Sequence, residues 1–148
     1  MRLLPALALC TATALSVTAL SANAQDAHNN LVTVITSENP QTQLMGMVLT
    51  MESLRAGATA HMLLCGPGGD IALKDAPDTA TTAQPPMGMS PQALMQKIIE
   101  AGGMVEVCAL YLPGKGGDAG ILLDGITAAK PGDMAARLMA KDARVLSF

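Results

Sequence analysis

Apolar residues along this chain alternate between short β-branched runs and longer stretches with helical spacing. The first such run, Leu31 to Ile35 (L-V-T-V-I), is almost wholly apolar, which is typical of a central parallel strand buried on both faces. A turn, Thr36 to Pro40, follows it, and Gly57 ends the next helix as a C-cap. The predicted buried face of that helix has three-and-four spacing and consists of Leu44, Met47, Val48, Met51 and Leu54.

The same alternation continues to the end of the chain. A second strand is predicted from Ala58 to Leu64, and a third from Met104 to Val107. Between them a helix begins at Ser90-Pro91, an N-cap followed by proline, and stops at Gly102-Gly103. Later segments are a short helix from Asp118 to Asp124, a strand from Ile126 to Ala129, a helix from Pro131 to Ala140 and a strand from Ala143 to Phe148. This order predicts a single three-layer α/β/α domain with a mainly parallel sheet of about five strands.

Three of the predicted strands end in loops that carry reactive or polar side chains. Ser37, Cys65 and Cys108 each follow a strand, and the carboxyl ends of parallel strands emerge at one edge of a sheet, where open α/β folds place their ligands. The glycines after Cys65 lack the dinucleotide and phosphate-loop patterns, so that segment is predicted to be a turn. The irregular stretch from Asp70 to Met89 is long enough to lie over the same edge.

The amino-terminal residues have the pattern of a secretory signal peptide. Arg2 gives the positive region, Leu3 to Leu20 the apolar region, and Ala22 to Ala24 a small-residue cleavage site. Residues 1–24 are therefore predicted to be removed, which would leave a domain of residues 25–148 in the periplasm or outside the cell. No later apolar run approaches the ~20 residues of a membrane span, so no membrane attachment is expected after cleavage.

The net charge limits the classes of partner that the protein can bind, and the composition limits the residues available for its core. Removal of Arg2 leaves eight basic against twelve acidic residues, a mature net charge of about −4, which argues against nucleic acid as a partner. With one Tyr, one Phe and no Trp, the core must consist of aliphatic residues and Met. Most of the Met residues are therefore expected to be packing residues.

Cys65 and Cys108 are the cysteines of the predicted mature chain, and a structural disulfide is the default expectation in an exported protein. In a doubly wound sheet the second and third strands flank the first, so their ends would lie about 9 to 10 Å apart. A disulfide needs Cα atoms within about 7 Å, so it would require a loop folded across the first strand. Otherwise the pair could act as a carrier and a resolving thiol, or as two metal ligands.

Cys108 is the strongest candidate for a reactive thiol, because it ends a strand and precedes a glycine-rich loop. Lys115 and the start of the helix at Asp118 would lower its pKa, whereas the charges of Glu106 and Asp118 would raise it. The predicted site residues are Cys108 as the reactive thiol and Cys65, Ser37 and Lys115 as binding residues. No cofactor is expected beyond sulfur carried on cysteine.

Metal binding has weaker support in the sequence. Met87 and Met89 offer two thioethers, which are soft ligands suited to Cu(I), but such a pair is common in a Met-rich chain. His61 lies among apolar strand residues and is interpreted as a core or edge histidine rather than a ligand. His28, in the leading segment, is expected to be solvated.

The order of these motifs resembles the DsrE/DsrF-like family. The resemblance covers the mature chain, from L-V-T-V-I-T-S through G-G-M-V-E-V-C and L-L-D-G-I to P-G-D-M-A-A-R-L-M and V-L-S-F. It implies a five-stranded parallel sheet, a homo-oligomer and, at the cysteine matching Cys108, a persulfide passed between donor and acceptor proteins. Those relay proteins are typically cytoplasmic, whereas this chain has an export signal.

Three functional hypotheses follow. The first is an exported DsrE-like sulfur carrier that acts through a thiol or persulfide at Cys108. The second is a non-catalytic periplasmic binding or assembly module that holds Cu(I) through Cys65, Cys108 and Met87 or Met89. The third is a scaffold whose cysteines are buried. The sequence leaves open the sulfur donor and acceptor, the oligomeric state and whether any turnover occurs.

Overall fold

Strands and helices alternate through residues 30–148, the part of the chain that the computed structural model describes. The predicted signal peptide, its cleavage site and His28 lie outside these residues. The strands are β1 (Asn30–Ile35), β2 (Thr59–Leu64), β3 (Met104–Val107), β4 (Ile126–Ala128) and β5 (Ala143–Ser147). The helices are α1 (Pro40–Arg55), α2 (Asp78–Thr81), α3 (Pro91–Glu100), α4 (Tyr111–Lys115) and α5 (Pro131–Leu138), with 3₁₀ turns at Gly66–Ala72 and Ala119–Ile121. Within the described residues, no helix is long and apolar enough to cross a membrane.

The five strands form one parallel sheet in the order β4-β3-β2-β1-β5. Helices cover both faces of it, so the predicted single-domain three-layer α/β/α class is confirmed. The strand order that we expected, with β2 and β3 on either side of β1, is wrong. In the structure β2 lies between β1 and β3, and the carboxyl ends of β2 and β3 are therefore neighbours.

The larger core lies between the sheet and helices α1 and α3. Thr33 of β1 and Thr50 of α1 share a buried hydrogen bond of 2.7 Å between their hydroxyls, which satisfies two polar groups inside an apolar layer. The largest fully buried apolar side chains of this core are those of Ile35, Met47, Met62, Leu64, Ile71, Met95, Ile98, Val105 and Val107. Aliphatic and Met side chains thus supply most of this core, in agreement with the composition.

The opposite face of the sheet has a smaller core under α5. It consists of Val32, Leu63, Ala129 and Met134. Because side chains of a strand alternate between faces, Val32 points to α5 while its neighbour Thr33 points to α1. Both Cys65 and Cys108 pack against this smaller core, and Cys108 also packs against the larger one.

Helix α1 is rotated relative to the face that the apolar spacing predicts. Val48, placed in the buried stripe, is 41% exposed, whereas Gln43, Gly46 and Thr50 are buried. Gly46 allows close packing, since a Cβ there would lie 2.6 Å from a methyl group of Ile35. The buried face of α1 is therefore the one that carries Gly46 and Thr50. Gly46 allows the close approach to Ile35, and the Thr50 hydroxyl is hydrogen-bonded to that of Thr33.

Two further segments differ from the prediction. Helix α4 forms where we expected irregular chain, because Tyr111 and Leu112 are buried in the larger core and the Tyr111 N–H donates to the Cys108 carbonyl. The helix expected from Asp118 to Asp124 is only a short 3₁₀ turn, which the Asp118 carboxylate caps through the Gly120 N–H. The predicted start of α3 is confirmed: the Ser90 hydroxyl accepts a hydrogen bond from the Ala93 N–H.

Candidate functional site

The two cysteines meet at the carboxyl edge of the sheet. Leu64 of β2 is in register with Val107 of β3, so Cys65 and Cys108 are the next pair along the two strands. Their amides extend the sheet by one residue. The Cys65 N–H donates to the carbonyl of Ile35 at 2.9 Å, and the Cys108 N–H donates to the carbonyl of Leu64 at 2.8 Å. Their Cα atoms are 5.1 Å apart, and the two sulfurs form a disulfide.

The expectation that Cys65 and Cys108 would lie too far apart for a direct disulfide is wrong, because β2 and β3 are neighbours in the sheet. With β2 and β3 adjacent, the cysteines are one inter-strand spacing apart, and this is within the Cα range of a disulfide. No loop has to cross β1. Both cysteines are half-buried, at the place where the two cores meet the edge of the sheet.

Two glycines allow the segment after Cys65 to pass close to its neighbours. A Cβ at Gly68 would collide with the backbone carbonyl of Ile35, and a Cβ at Gly69 would collide with the ring of Tyr111. The glycine cluster therefore has a packing role. It brings the 3₁₀ turn after Cys65 against the end of β1 and against α4.

Replacement of Gly68 by alanine is expected to lower the free energy of unfolding by about 1 to 3 kcal/mol, because the added methyl group would be forced against a backbone atom that cannot move aside. Gly114→Ala in α4 is a matched control, since no atom lies within 4 Å of the added Cβ. Urea unfolding of both variants measures the difference. Equal stabilities of the two variants would contradict the close approach at Gly68.

Asp70, Tyr111 and Lys115 connect the segments that follow the two cysteines. The Tyr111 hydroxyl donates to Oδ1 of Asp70 at 2.8 Å, and Nζ of Lys115 lies 2.6 Å from the same oxygen. Nζ of Lys115 is also 5.6 Å from the centre of the Tyr111 ring. Burial, followed by the hydrogen bond to Asp70 and its charge, raises the pKa of Tyr111, so the phenol stays protonated and acts as a donor. The lysine predicted to act on the thiol is thus paired with Asp70.

Ser37 lies at the same edge of the sheet but serves the turn. Its hydroxyl accepts a hydrogen bond from the Asn39 N–H at 3.1 Å, and its carbonyl accepts one from the side-chain amide of Gln43 at 2.8 Å. Asn39 in turn caps α1. The structure therefore gives Ser37 local hydrogen bonds that shape the loop after β1.

Met87 and Met89 lie elsewhere, in an apolar groove of about 840 Å³ on the outer side of α1. The groove also contains Met45 and Met51, and neither cysteine lines it. The fold therefore does not bring the cysteine and methionine sulfurs together in the arrangement that the Cu(I) hypothesis required. Among residues 30–148, no group of three or more His, Cys, Asp or Glu side chains is arranged to hold a metal.

His61 and Glu106 form a buried pair on the α5 side of the sheet. Nε2 of His61 lies 2.7 Å from Oε2 of Glu106, and the two side chains are 4% and 15% exposed. Burial, with the positive charge of Arg137 second, lowers the pKa of His61 from its ordinary value of 6.5, and the carboxylate of Glu106 only partly opposes this. His61 is thus a core histidine with a strand partner, as the sequence indicated.

Because His61 takes up a proton more readily in the unfolded chain, stability should fall as the pH drops below about 6.5. The slope contributed by one such group is at most about 1.4 kcal/mol per pH unit. Urea unfolding between pH 5 and 7 of the wild type and of the double variant His61→Leu/Glu106→Gln, which lacks the imidazole and replaces its charged partner, isolates this contribution. An equal or steeper loss of stability in the variant on acidification would contradict it.

Sequence reasoning placed Cys65, Cys108 and Ser37 at one edge but missed Asp70 and Tyr111. Both belong to segments that seemed irregular, and their contact depends on the adjacency of β2 and β3. One signal was present: Tyr111 is the single tyrosine of the chain and comes three residues after Cys108. A buried tyrosine normally finds a hydrogen-bond partner, which pointed to an acceptor nearby.

Comparison with solved structures shows the same fold in other proteins at low sequence identity. The YchN protein from E. coli superposes with a TM-score of 0.61 at 15% identity, over 81% of this chain and 98% of that one. MTH1491 from Methanobacterium thermoautotrophicum gives 0.59 at 13% identity, over 80% and 98% of the two chains. BT1422 from Bacteroides thetaiotaomicron gives 0.60 at 18%, over 85% and 100%. MTH1491 and BT1422 are described as proteins of unknown function.

No family model matches the sequence, and no curated protein matches it. The likeness therefore establishes the fold, over nearly the full length of those three proteins.

Proposed function

We propose that this protein is an exported sulfur carrier, in which Cys108 receives sulfur as a persulfide and Cys65 is the resolving thiol. The observation that carries the proposal is the joining of the two cysteines across adjacent strand ends, at the edge where open α/β sheets commonly place their ligands. The fold shared with YchN and the resemblance to the DsrE/DsrF-like family support the same reading.

The disulfide itself supplies the oxidising equivalent for loading. A hydrosulfide ion attacks Sγ of Cys108, one S–S bond forms to the incoming sulfur, and the bond to Cys65 breaks with Cys65 leaving as a thiolate. The products are a Cys108 persulfide and a Cys65 thiolate, so charge and electrons balance. An acceptor thiolate can then attack the outer sulfur, which leaves both cysteines reduced.

The choice of Cys108 as the carrier rests on the resemblance, in which the cysteine after the third strand carries sulfur. The segments that follow Cys65 and Cys108 should keep their arrangement when the disulfide opens. The ladder between β2 and β3 and the hydrogen bond from Tyr111 to Asp70 hold the two segments together independently of the sulfurs. The reduced thiols would therefore stay close enough for a disulfide-bearing oxidant of the compartment to re-form the bond by thiol–disulfide exchange, in which that oxidant is reduced to its dithiol.

The cellular setting belongs to the same proposal. The amino-terminal signal pattern predicts export, and a disulfide is compatible with an oxidising compartment such as the periplasm. We further propose a homo-oligomer and a separate donor and acceptor of sulfur, as the resemblance implies. Size-exclusion chromatography with light scattering tests the oligomer separately from the chemistry.

Mass spectrometry of the protein purified from its native compartment tests the function. After alkylation of exposed thiols, the expected result is a fraction of molecules with an additional sulfur on the Cys108 peptide. Purification of Cys108→Ser in parallel is the control, and the additional sulfur should be absent from it. A quantitative disulfide with no sulfur adduct under any growth condition would favour a structural bridge and overturn the proposal.

A second candidate, Cu(I) binding by an assembly module, has support from one observation. The groove outside α1 collects the thioethers of Met45, Met51, Met87 and Met89, and thioethers suit Cu(I). The cysteines would take no part while they form the disulfide. Competition for Cu(I) against a colorimetric chelator should then be weakened by Met87→Leu/Met89→Leu and unaffected by Cys65→Ala/Cys108→Ala, which leaves no free thiol at the edge of the sheet.

A further inference from the structure

A small half-open cavity of about 230 Å³ lies at the carboxyl edge of the sheet, beside the segment that follows Cys65. Its walls come from the loop after β1, the first turn of α1, the 3₁₀ turn after β2 and α2. The lining residues are Glu38, Gln43, Pro67, Asp70, Ile71, Pro77, Thr79 and Ala80. Nothing in the proposed sulfur chemistry uses this cavity.

The polar lining of the cavity is rich in hydrogen-bond acceptors. Glu38 and Asp70 contribute carboxylates, Gln43 an amide and Thr79 a hydroxyl, and a carboxylate can only accept. Proline, isoleucine and alanine supply the rest of the wall. A ligand for this space must therefore bring donors.

Gln43 is the second, independent sign of a ligand. The residue is 3% exposed, and its Nε2 donates to the Ser37 carbonyl at 2.8 Å. That bond settles the orientation of the amide, because the flipped amide would set two carbonyl oxygens against each other. Oε1 is then left without a hydrogen-bond partner among the described residues, and a buried acceptor of this kind calls for a donor.

The negative charge of the cavity favours a ligand with a positive charge. Oδ1 of Asp70 already binds Lys115 and Tyr111, whereas Glu38 has no ion-pair or hydrogen-bond partner for its carboxylate among residues 30–148. A hard metal ion such as Ca²⁺ takes six to eight oxygen ligands, and residues 30–148 contain no metal-binding group of that kind. An ammonium group has three donors and one positive charge, which match Glu38 and Oε1 of Gln43.

We propose that this cavity binds a primary ammonium group, presented by a small amine or by a lysine side chain of a partner. The volume lies below the range of drug-sized sites, about 300–1,000 Å³, so it suits a single ammonium-bearing chain. The inference goes beyond the sulfur-carrier proposal and does not depend on it.

Titration of the isotope-labelled wild-type protein with n-butylammonium chloride, followed by amide NMR shifts, tests the proposal. We expect saturable shifts of the Gln43 side-chain amide and of the Thr79 backbone amide. The neutral n-butanol and the anion butyrate, of similar length, should give no saturable shift. Nα-acetyl-lysine amide is the second ammonium probe: tighter binding than that of n-butylammonium favours a lysine side chain, equal binding shows that the cavity accepts both sources, and exclusion of this probe favours a small amine.

Glu38→Gln should weaken n-butylammonium binding about tenfold, the effect of losing one charged hydrogen bond. Glu100→Gln is the matched control, with the same change of charge on an exposed residue at the end of α3, and its affinity should equal that of the wild type. Three results would overturn the proposal. The first is the absence of a saturable shift with either ammonium probe, which would mean that the cavity holds only water. The others are equal binding of n-butanol and n-butylammonium, and equal affinities of the two variants for n-butylammonium.

Discussion

Cys108→Ser is expected to lose most of its sulfur loading from a persulfide donor, whereas Cys65→Ser should retain that loading. In Cys65→Ser the Cys108 thiolate can still attack the outer sulfur of a donor such as glutathione persulfide, which transfers one sulfur and releases the glutathione thiolate. Neither variant has a disulfide, so neither can be loaded by hydrosulfide alone, because no oxidising equivalent remains. The two donors thus separate the role of carrier from that of resolving thiol.

Peptide mass spectrometry after alkylation measures this difference. From the persulfide donor, Cys65→Ser should load at least on the order of tenfold faster than Cys108→Ser, since thiol reactivity is specific to the site. The wild type in its disulfide form should be loaded by hydrosulfide. Faster loading of Cys108→Ser would instead make Cys65 the carrier.

Removal of the disulfide is expected to have the largest effect on stability. The bridge closes a loop with a sequence separation of 43 residues, and the chain-entropy model gives about 4 kcal/mol for a loop of that length. Cys65→Ala/Cys108→Ala should therefore lower the free energy of unfolding by roughly 2 to 4 kcal/mol. The β2–β3 ladder and the Tyr111–Asp70 hydrogen bond remain, so the variant should still fold.

Urea unfolding of the oxidised wild type, the reduced wild type and the double variant checks this result. Reduction should lower the stability of the wild type toward that of the variant and leave the variant unchanged. If the oxidised wild type and the variant unfold at the same urea concentration, the disulfide does not stabilise the fold.

Strands and helix starts could be predicted where neighbouring residues along the chain determine the local structure. The run from Leu31 to Ile35 indicated a buried strand, and Ser90 with Pro91 indicated the start of α3; both predictions are confirmed. The order of the strands could not be predicted in the same way, because every strand that is apolar on both faces can pair with any other. Pairing of β2 with β3 depends on the packing of the whole sheet.

Long-range contacts also decided the parts of the site that were missed. The Tyr111 hydroxyl donates to Asp70, 41 residues earlier, and the local sequence around Tyr111 does not identify that partner. The face of α1 was likewise set by the pairing of Thr50 with Thr33. In contrast, the rule that parallel strands present their carboxyl ends at one edge placed Ser37, Cys65 and Cys108 together before any geometry was known.

Treatment of the oxidised protein with hydrosulfide, followed by alkylation and peptide mass spectrometry, tests the central claim most directly. We expect a Cys108 peptide that carries one additional sulfur and a Cys65 peptide that is alkylated as a free thiol. An intact disulfide after treatment, or additional sulfur on Cys65 with Cys108 free, would contradict it.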